Sequence, residues 1–277
     1  MGIEVKIFPN AQVVGSDRDS IEAVTLGEID MTSVAELQFA PNIKEFYVFN
    51  ADYLFDDLKD AKAKLDGEQG DLLKKAADDK NMGVKVAAFF GSSGRIFWNN
   101  VREVNTLADF QGIKSRAPEN PINIAELEAL GCIPTPMAWN ELYTGLQQGT
   151  VDGLVSSKMP IIQQGLIDVL KYATDTNHSY SINVILISSA KYNSFSEEQR
   201  AAYDKAIAGA AEEEWKIAMK EEEDSVQKIK ELQEQGKILY TELTDEARAE
   251  IKDAMVAATE PKVEEMCGKE ILETFRN

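Results

Sequence analysis

A chain of 277 residues is long enough for one large domain or two intermediate ones, and its formal net charge is −19. This charge argues against nucleic acid or an anionic membrane surface as partner, although a few local donors can still attract a small anion. The sequence has no apolar run of about 18 residues. Its start has neither a basic nor an apolar region, so no signal peptide is predicted.

The first hundred residues predict several strands. Residues 3–8 alternate and are β-branched, and residues 29–34 form another short strand candidate. Residues 84–90 form a near-continuous apolar run, typical of a strand covered on both faces. The glycine and serine residues at 91–94 predict a flexible turn or a crossover between domains, and a phosphate-binding loop is the weaker alternative because the usual motifs are absent. Residues 95–100 resume a strand.

Residues 112–157 predict strand, helix, strand, helix, strand, and Arg116 stands where the first strand ends. A periodic segment follows at 196–235, opened by a capping box of Ser196 and Gln199. Its length of roughly 60 Å as a helix exceeds the width of about 50 Å of a compact globule, so it bends or spans two lobes. Pro261 predicts a break after the final helix. The alternation predicts an α/β fold with mostly parallel sheets, which bind ligands at the carboxyl ends of strands.

Three residues are candidates for ligand contacts. Arg116 offers a rigid fork of donors that matches a carboxylate, and its alternative role is a structural ion pair, for example with Glu119. Arg95 could provide a second anion contact or be a simple exposed arginine. Trp139 could form the floor of a pocket or belong to the core.

No catalytic or metal motif is present in the sequence. The single histidine, His178, favours a hydrogen-bonded structural role over a metal cluster or a catalytic triad. Cys132 and Cys267 could pair or stay free. The acidic runs at 212–214 and 221–224 predict a solvated helix face. No metal and no cofactor are expected, and binding is favoured over catalysis.

The stretch from 106 to 153 resembles the solute-binding proteins of tripartite ATP-independent periplasmic (TRAP) transporters, of the DctP type. The matching positions form a long ordered set: Asp109, Gly112, Lys114, Arg116, Pro118, Gly131, Pro134, Thr135, Pro136, Met137, Trp139, Glu141, Tyr143, Leu146, Gln147, Gly149, Val151, Asp152 and Gly153. Shorter matches at 5–15, 26–31 and 53–55 extend the resemblance over essentially the whole chain.

The resemblance implies a two-lobed α/β clamshell with a ligand cleft and one long helix that crosses both lobes. We expect residues 1–93 and 182–221 to form the first lobe. Residues 94–181 and 222–250 would form the second, and residues 251–277 a C-terminal helical segment. Family members begin with a further strand and helix ahead of the segment matched by residues 3–8. This sequence lacks that pair, so the resemblance implies a sheet edge with unpaired backbone groups, which either another chain, in an oligomer, or a rearranged strand pairing could cover.

The resemblance also implies the ligand contacts. Arg116 corresponds to the family arginine that binds the ligand carboxylate, Arg95 to a second arginine, and Trp139 to an aromatic residue against the ligand. Ser156 occupies a position where the family often has asparagine, and serine offers one hydroxyl in place of an amide. The complete expected set is Arg116, Arg95, Trp139, Ser156, Ser33, Tyr53 and Asn183.

These expectations describe a periplasmic protein that captures a small organic acid and delivers it to a TRAP permease, without enzymatic activity. An alternative is a ligand-sensing module for a signalling receptor. A less favoured one is a small-acid hydrolase or lyase, for which the sequence shows no nucleophile and no acid–base pair.

Overall fold

The computed structural model describes residues 3–9 and 12–277. The strands are β1 Met31–Ala35, β2 Val84–Asn99, β3 Lys114–Ala117, β4 Ile133–Pro136, β5 Gly153–Ser157, β6 Tyr172–Ser188 and β7 Leu239–Thr241. The helices are α1 Asp17–Leu26, α2 Glu36–Phe39, α3 Leu58–Leu65, α4 Glu68–Lys80, α5 Pro121–Ala129, α6 Leu142–Gln148, α7 Lys158–Gln163, α8 Ser189–Ser194, α9 Glu197–Glu234, α10 Asp245–Cys267 and α11 Lys269–Arg276. Short 3₁₀ helices occur at Lys44–Asn50, Leu107–Phe110, Trp139–Glu141 and Leu166–Asp168.

The strands form one sheet in the order β1-β6-β2-β5-β3-β4, and β7 pairs with β6. The prediction of mostly parallel sheets is wrong. The long strands β2 and β6 are antiparallel to each other, β1 is antiparallel to β6, and β5 is antiparallel to β2. Parallel pairing is found between β3 and β4, β3 and β5, and β6 and β7. The two long strands, β2 with 16 residues and β6 with 17, pair with each other, and the remaining pairings of these two strands are with β5 for β2 and with β1 and β7 for β6.

The glycine-rich segment at 91–94 lies inside β2 and is not a flexible turn. The register between β2 and β6 shifts there, between Gly91 and Gly94. A Cβ atom on Gly91 would lie 2.4 Å from the Trp215 ring, and one on Gly94 would lie 1.9 Å from the Asn177 side chain. The glycines therefore permit the close approach of α9 and of β6, as a crossover between the two ends of the sheet requires.

Residues 3–9 form neither helix nor strand, so the predicted strand at 3–8 is wrong. The side chains of this segment are largely exposed, with Val5 at 73% and Ile7 at 83%. Alternating residues form a strand only where a neighbouring strand accepts their hydrogen bonds, and such pairing is not found for the described residues 3–9. The resemblance at 5–15 also includes positions 10 and 11, which lie outside the described residues.

The apolar side chains form three cores. The first core surrounds α1, α3, α4, β1 and the second half of β6, and includes Trp215. The second core contains Ile96 and Trp98, whereas the third contains Phe97. Because successive side chains of a strand point to opposite faces, the second and third cores cover opposite faces of the sheet around the end of β2. This end of the sheet is therefore buried on both sides.

The long helix predicted at 196–235 is confirmed as α9. It has 38 residues and begins with the predicted capping box of Ser196 and Gln199. Its length is about 57 Å. Trp215 packs into the first core and Ile229 into the second, so α9 crosses both ends of the molecule.

The predicted break at Pro261 is wrong, because this residue lies inside α10. Ile251 packs into the third core on one side of the proline, while Val263 and Cys267 pack into the first core on the other. Burial of these side chains outweighs the cost of about 3 kcal/mol for a proline in a helix interior. Cys132 and Cys267 are both buried and free. Within the described ranges, no helix combines the length and apolar character needed to cross a membrane.

Candidate functional site

Arg116 is the third residue of β3, the strand between β5 and β4. Its Nε donates a hydrogen bond of 2.9 Å to the carbonyl oxygen of Met137, in the segment that follows β4. Within the described residues, Arg116 forms no ion pair with Glu119 or with another carboxylate. One edge of its guanidinium is thus fixed by the backbone, and its charge has no carboxylate partner.

Trp139 lies beside this arginine. The guanidinium carbon of Arg116 is 5.7 Å from the centre of the Trp139 ring, a distance that permits a cation–π interaction. The indole Nε1 of Trp139 donates to Gln164 Oε1 at 2.9 Å, which orients the ring, and the residue packs against the second core. Burial, with a contribution from the nearby Arg95, lowers the pKa of Arg116. An arginine remains charged despite such a shift, so the site combines a half-buried cation with an aromatic wall.

Arg95 follows the glycine-rich segment of β2 and has a very different environment. Its Nη2 is 3.1 Å from Glu36 Oε1, and its Nε donates to Ser181 Oγ at 2.9 Å. The exposed fractions of the two charged side chains are 15% for Arg95 and 1% for Glu36. Burial raises the pKa of Glu36, and Arg95 opposes that rise. Arg95 is therefore largely neutralised inside the protein, which neither sequence alternative anticipated.

Ser156 lies on β5, two positions after Leu154, the residue that pairs with Arg116. Because directly paired residues share a face and side chains alternate, Ser156 and Arg116 point to the same face of the sheet. Ser156 is buried, at 8% exposure. Its carbonyl oxygen accepts a hydrogen bond of 3.1 Å from Nε1 of Trp98.

Ser33 and Asn183 lie at the other end of the sheet. Ser33 pairs with Ile185, two positions from Asn183, so the two polar residues share one face. Ser181, which accepts the hydrogen bond from Arg95, follows the same alternation. These residues form a polar strip that leads from β1 toward Arg95.

Tyr53 is held firmly by its surroundings. Its backbone has a φ of 53°, an uncommon conformation for a residue with a side chain. The amide donates to the His178 carbonyl at 2.6 Å, and Arg276 donates to the Tyr53 carbonyl at 2.7 Å. Burial and the charge of Asp52 raise the pKa of the phenol. These contacts place Tyr53 against the third core, where Lys252 also covers its ring.

Glu222 forms polar contacts inside the protein. The acidic run at 221–224 predicts a solvated helix face, and for Glu222 this prediction is wrong. It accepts hydrogen bonds from the backbone amide of Gly94 at 2.8 Å and from the buried Lys158 at 2.5 Å. The interaction links α9, β2 and α7 near the crossover of the long strands. The detectable signal was that Glu222 interrupts the apolar stripe of α9.

His178 meets two carboxylates that the sequence gave no reason to associate with it. Asp52, Glu126 and His178 are all buried, and one ligand atom from each lies within 4.8 Å of the others. Burial, together with the charge of Glu126, raises the pKa of Asp52 to about 7. His178 donates to or accepts from Thr176 Oγ1 at 2.9 Å, as expected for a hydrogen-bonded histidine.

Two surface hollows of about 530 and 520 Å³ lie elsewhere, the larger between α4, β2 and α9. None of the seven predicted ligand residues lines either hollow. They are open depressions on the outer face of the first core, and they lack the grouping of arginine, tryptophan and serine found around β3 and β5.

The family model for DctP, bacterial extracellular solute-binding protein family 7, matches residues 2–266. The chain belongs to this family. A relative described as a solute-binding protein of Verminephrobacter eiseniae is 32% identical over 275 residues, which cover 99% of this chain and 79% of the relative.

Solved structures with the same fold support this assignment. The TRAP periplasmic solute-binding protein of Sulfurospirillum deleyianum, solved with succinate, aligns with a TM-score of 0.87 at 26% identity over 99% of this chain and 87% of its own. The sugar acid-binding protein DctPAm of Advenella mimigardefordensis, solved with galactonate, aligns with a TM-score of 0.87 at 28% identity over 99% of this chain and 86% of its own. The two-lobed α/β fold expected from the resemblance is confirmed.

Proposed function

We propose that this protein captures a small organic acid between its two lobes and delivers it to a TRAP permease in the periplasm. The observation that carries the proposal is Arg116, a half-buried guanidinium without a carboxylate partner among the described residues. A ligand carboxylate would complete its charge and accept its remaining donors. The related proteins solved with succinate and galactonate both hold carboxylates.

The other contacts follow from their positions. Trp139 packs against the body of the ligand, and the Ser156 hydroxyl lies on the same sheet face as Arg116. Ser33 and Asn183 contribute ligand contacts from the first lobe. Tyr53 stays in the predicted set as a boundary residue of the cleft. Arg95 acts mainly by holding Glu36 and Ser181 in place. It makes the electrostatic potential of the site more positive without contacting the ligand directly.

The lobe boundaries belong to the same proposal. We assign residues 1–93 and 182–221 to the first lobe, which contains most of the first core, and residues 94–181 and 222–250 to the second, which contains most of the second and third cores. The segment 251–277 packs against both lobes. Ligand contacts from the two lobes would favour the closed form, because that form alone provides both sets of contacts. The chain would bind its ligand without converting it.

The test is a thermal-shift screen of organic acids, followed by calorimetry of Arg116→Ala with the best ligand. A ligand that binds only the folded state raises the melting temperature. Loss of a charge-assisted bidentate contact costs about 3 kcal/mol, so we expect affinity to fall at least about 100-fold while the variant remains folded, with a cooperative urea transition.

Two further variants control this experiment. Arg116→Lys keeps the charge but loses the fork, and we expect an intermediate affinity. Arg18→Ala removes an exposed arginine on α1 and should leave binding unaltered. Equal affinity of Arg116→Ala and the wild type would refute the proposal.

A further inference from the structure

We propose that Asp52, Glu126 and His178 form a binding site for a divalent transition-metal ion, with Zn²⁺ as the best match. The three side chains come from different parts of the fold. Asp52 follows the 3₁₀ helix Lys44–Asn50, Glu126 lies on α5, and His178 lies on β6. Their exposed fractions are 2%, 4% and 1%.

The orientation of His178 is the first reason. Its Nδ1 is engaged with Thr176 Oγ1 at 2.9 Å, which directs Nε2 into the cluster. This Nε2 is buried and has no hydrogen-bond partner among the described residues. It is 3.4 Å from Glu126 Oε1 but without the alignment of a hydrogen bond. A buried imidazole nitrogen that faces two carboxylates is a typical metal ligand.

The carboxylates are positioned in the same manner. Thr259 Oγ1 donates to Asp52 Oδ2 at 2.8 Å, and Asn123 Nδ2 donates to Glu126 Oε2 at 3.1 Å. Each carboxylate thus has one oxygen held by a neighbouring donor, and the other oxygen of Glu126, Oε1, lies 3.4 Å from His178 Nε2. Outer contacts of this kind orient metal ligands and are a regular feature of metal sites.

The charges also favour a cation. Asp52 and Glu126 are both buried, so each negative charge that they carry lies in a poorly solvated region. The positive charge of Arg276 acts on Asp52, but its Nη2 bonds to the Asp52 backbone carbonyl at 3.0 Å and to the Glu260 carboxylate at 2.7 Å. A divalent ion would neutralise the carboxylates of Asp52 and Glu126 directly.

The donor set selects the type of metal. One imidazole nitrogen and two carboxylate oxygens suit Zn²⁺, whereas Ca²⁺ and Mg²⁺ prefer oxygen ligands alone. Tetrahedral zinc would need ligand atoms about 3.3 Å apart, from bond lengths of about 2.0–2.1 Å. The present ligand atoms lie within 4.8 Å of one another, so metal binding would draw them together by up to about 1.5 Å. A bound ion would connect Asp52 of the first lobe with Glu126 and His178 of the second.

The single histidine makes the decisive experiment unambiguous. Tag-free, chelator-treated protein with ¹⁵N-labelled histidine has one imidazole, whose Nε2 resonance reports proton or metal directly. Addition of ZnCl₂ should move Nε2 to a metal-bound position at one equivalent. A resonance that stays unchanged in excess Zn²⁺ overturns the proposal.

Calorimetry with ZnCl₂ provides the second measurement. Glu126→Gln should weaken Zn²⁺ binding by at least about 10-fold, since it removes a charged ligand with little change in shape. Glu128→Gln is the matched control, because this exposed residue lies on the same helix, two positions away. It should bind one equivalent with the wild-type affinity. Equal affinities of Glu126→Gln and the wild type, or the same loss in Glu128→Gln, contradict the site.

Discussion

Arg95 lies close enough to Arg116 to contribute to the lowering of its pKa, yet the environments of the two arginines differ in one decisive respect. Arg95 has a buried carboxylate partner, Glu36, and a hydroxyl partner, Ser181. Arg116 has a backbone carbonyl and an aromatic ring. A buried ion pair is satisfied within the protein, whereas an arginine held only by neutral groups keeps its capacity to bind an anion. Arg95 therefore holds Glu36 inside the protein, whereas the ligand role proposed for Arg116 rests on its lack of a carboxylate partner among the described residues.

The largest expected effect comes from breaking the satisfied pair. Arg95→Gln leaves Glu36 buried without its cation, and loss of one partner of a buried pair costs about 3–5 kcal/mol. We expect the free energy of unfolding in urea to fall by about this amount.

The double variant Arg95→Gln/Glu36→Gln sharpens the result. Removal of both charges should recover most of the lost stability, because the cost arises from the uncompensated carboxylate. A double variant as unstable as Arg95→Gln would show that the arginine acts through packing instead.

The ion pair of Arg95 and Glu36 also predicts how the stability of the fold depends on pH. Burial raises the pKa of Glu36 above its ordinary value, and Arg95 lowers it again. The folded state therefore binds the proton more tightly than the unfolded state, and the stability due to this group is lost as the pH rises through the folded pKa. In Arg95→Gln the folded pKa rises further. The variant should lose more stability than the wild type between about pH 5 and about pH 8, as measured by urea midpoints.

The opposite result would contradict this account. A variant that gains stability toward about pH 8, relative to the wild type, would mean that Glu36 is ionised in the fold without help from Arg95.

A smaller effect is expected at the aromatic wall beside Arg116. Trp139→Ala removes a cation–π contact worth about 1–2 kcal/mol, so affinity for the organic acid should fall about 5- to 30-fold in calorimetry. Trp139→Phe keeps an aromatic face but loses the hydrogen bond to Gln164, and it should lose less. An identical loss in both variants would attribute the effect to the hydrogen bond.

The smallest effect is expected at Ser156. Loss of a single neutral hydrogen bond costs about 1 kcal/mol, so Ser156→Ala should weaken binding about 5-fold with little change in stability. Ser157→Ala is the contrasting variant, because the Ser157 hydroxyl donates to the Ser93 carbonyl at 2.8 Å. It should reduce stability rather than affinity. If Ser156→Ala instead lowered stability and Ser157→Ala lowered affinity, then Ser157 would be the ligand contact and Ser156 the structural residue.

Local patterns in the sequence were sufficient for part of the molecule. Helix α9 is confirmed with its capping box, because both the apolar spacing and the cap depend on residues a few positions apart. The strand that carries Arg116 and the helices that follow it were predicted for the same reason. Trp139 was singled out as a ligand or core residue, and the structure places it beside Arg116.

Only the tertiary structure decided the rest, because the relevant partners are distant in the chain. Glu36 meets Arg95 across 59 positions, and Glu222 meets Lys158 across 64. The glycines of β2 serve close packing against Trp215, which no local pattern can show. Apolar alternation at residues 3–9 was not enough for a strand, since a strand depends on a neighbour. The sequence by itself predicted the long helix α9 and singled out Arg116 as the candidate anion-binding side chain. Long-range packing determined which charges are neutralised, because burial and pairing are properties of the folded chain.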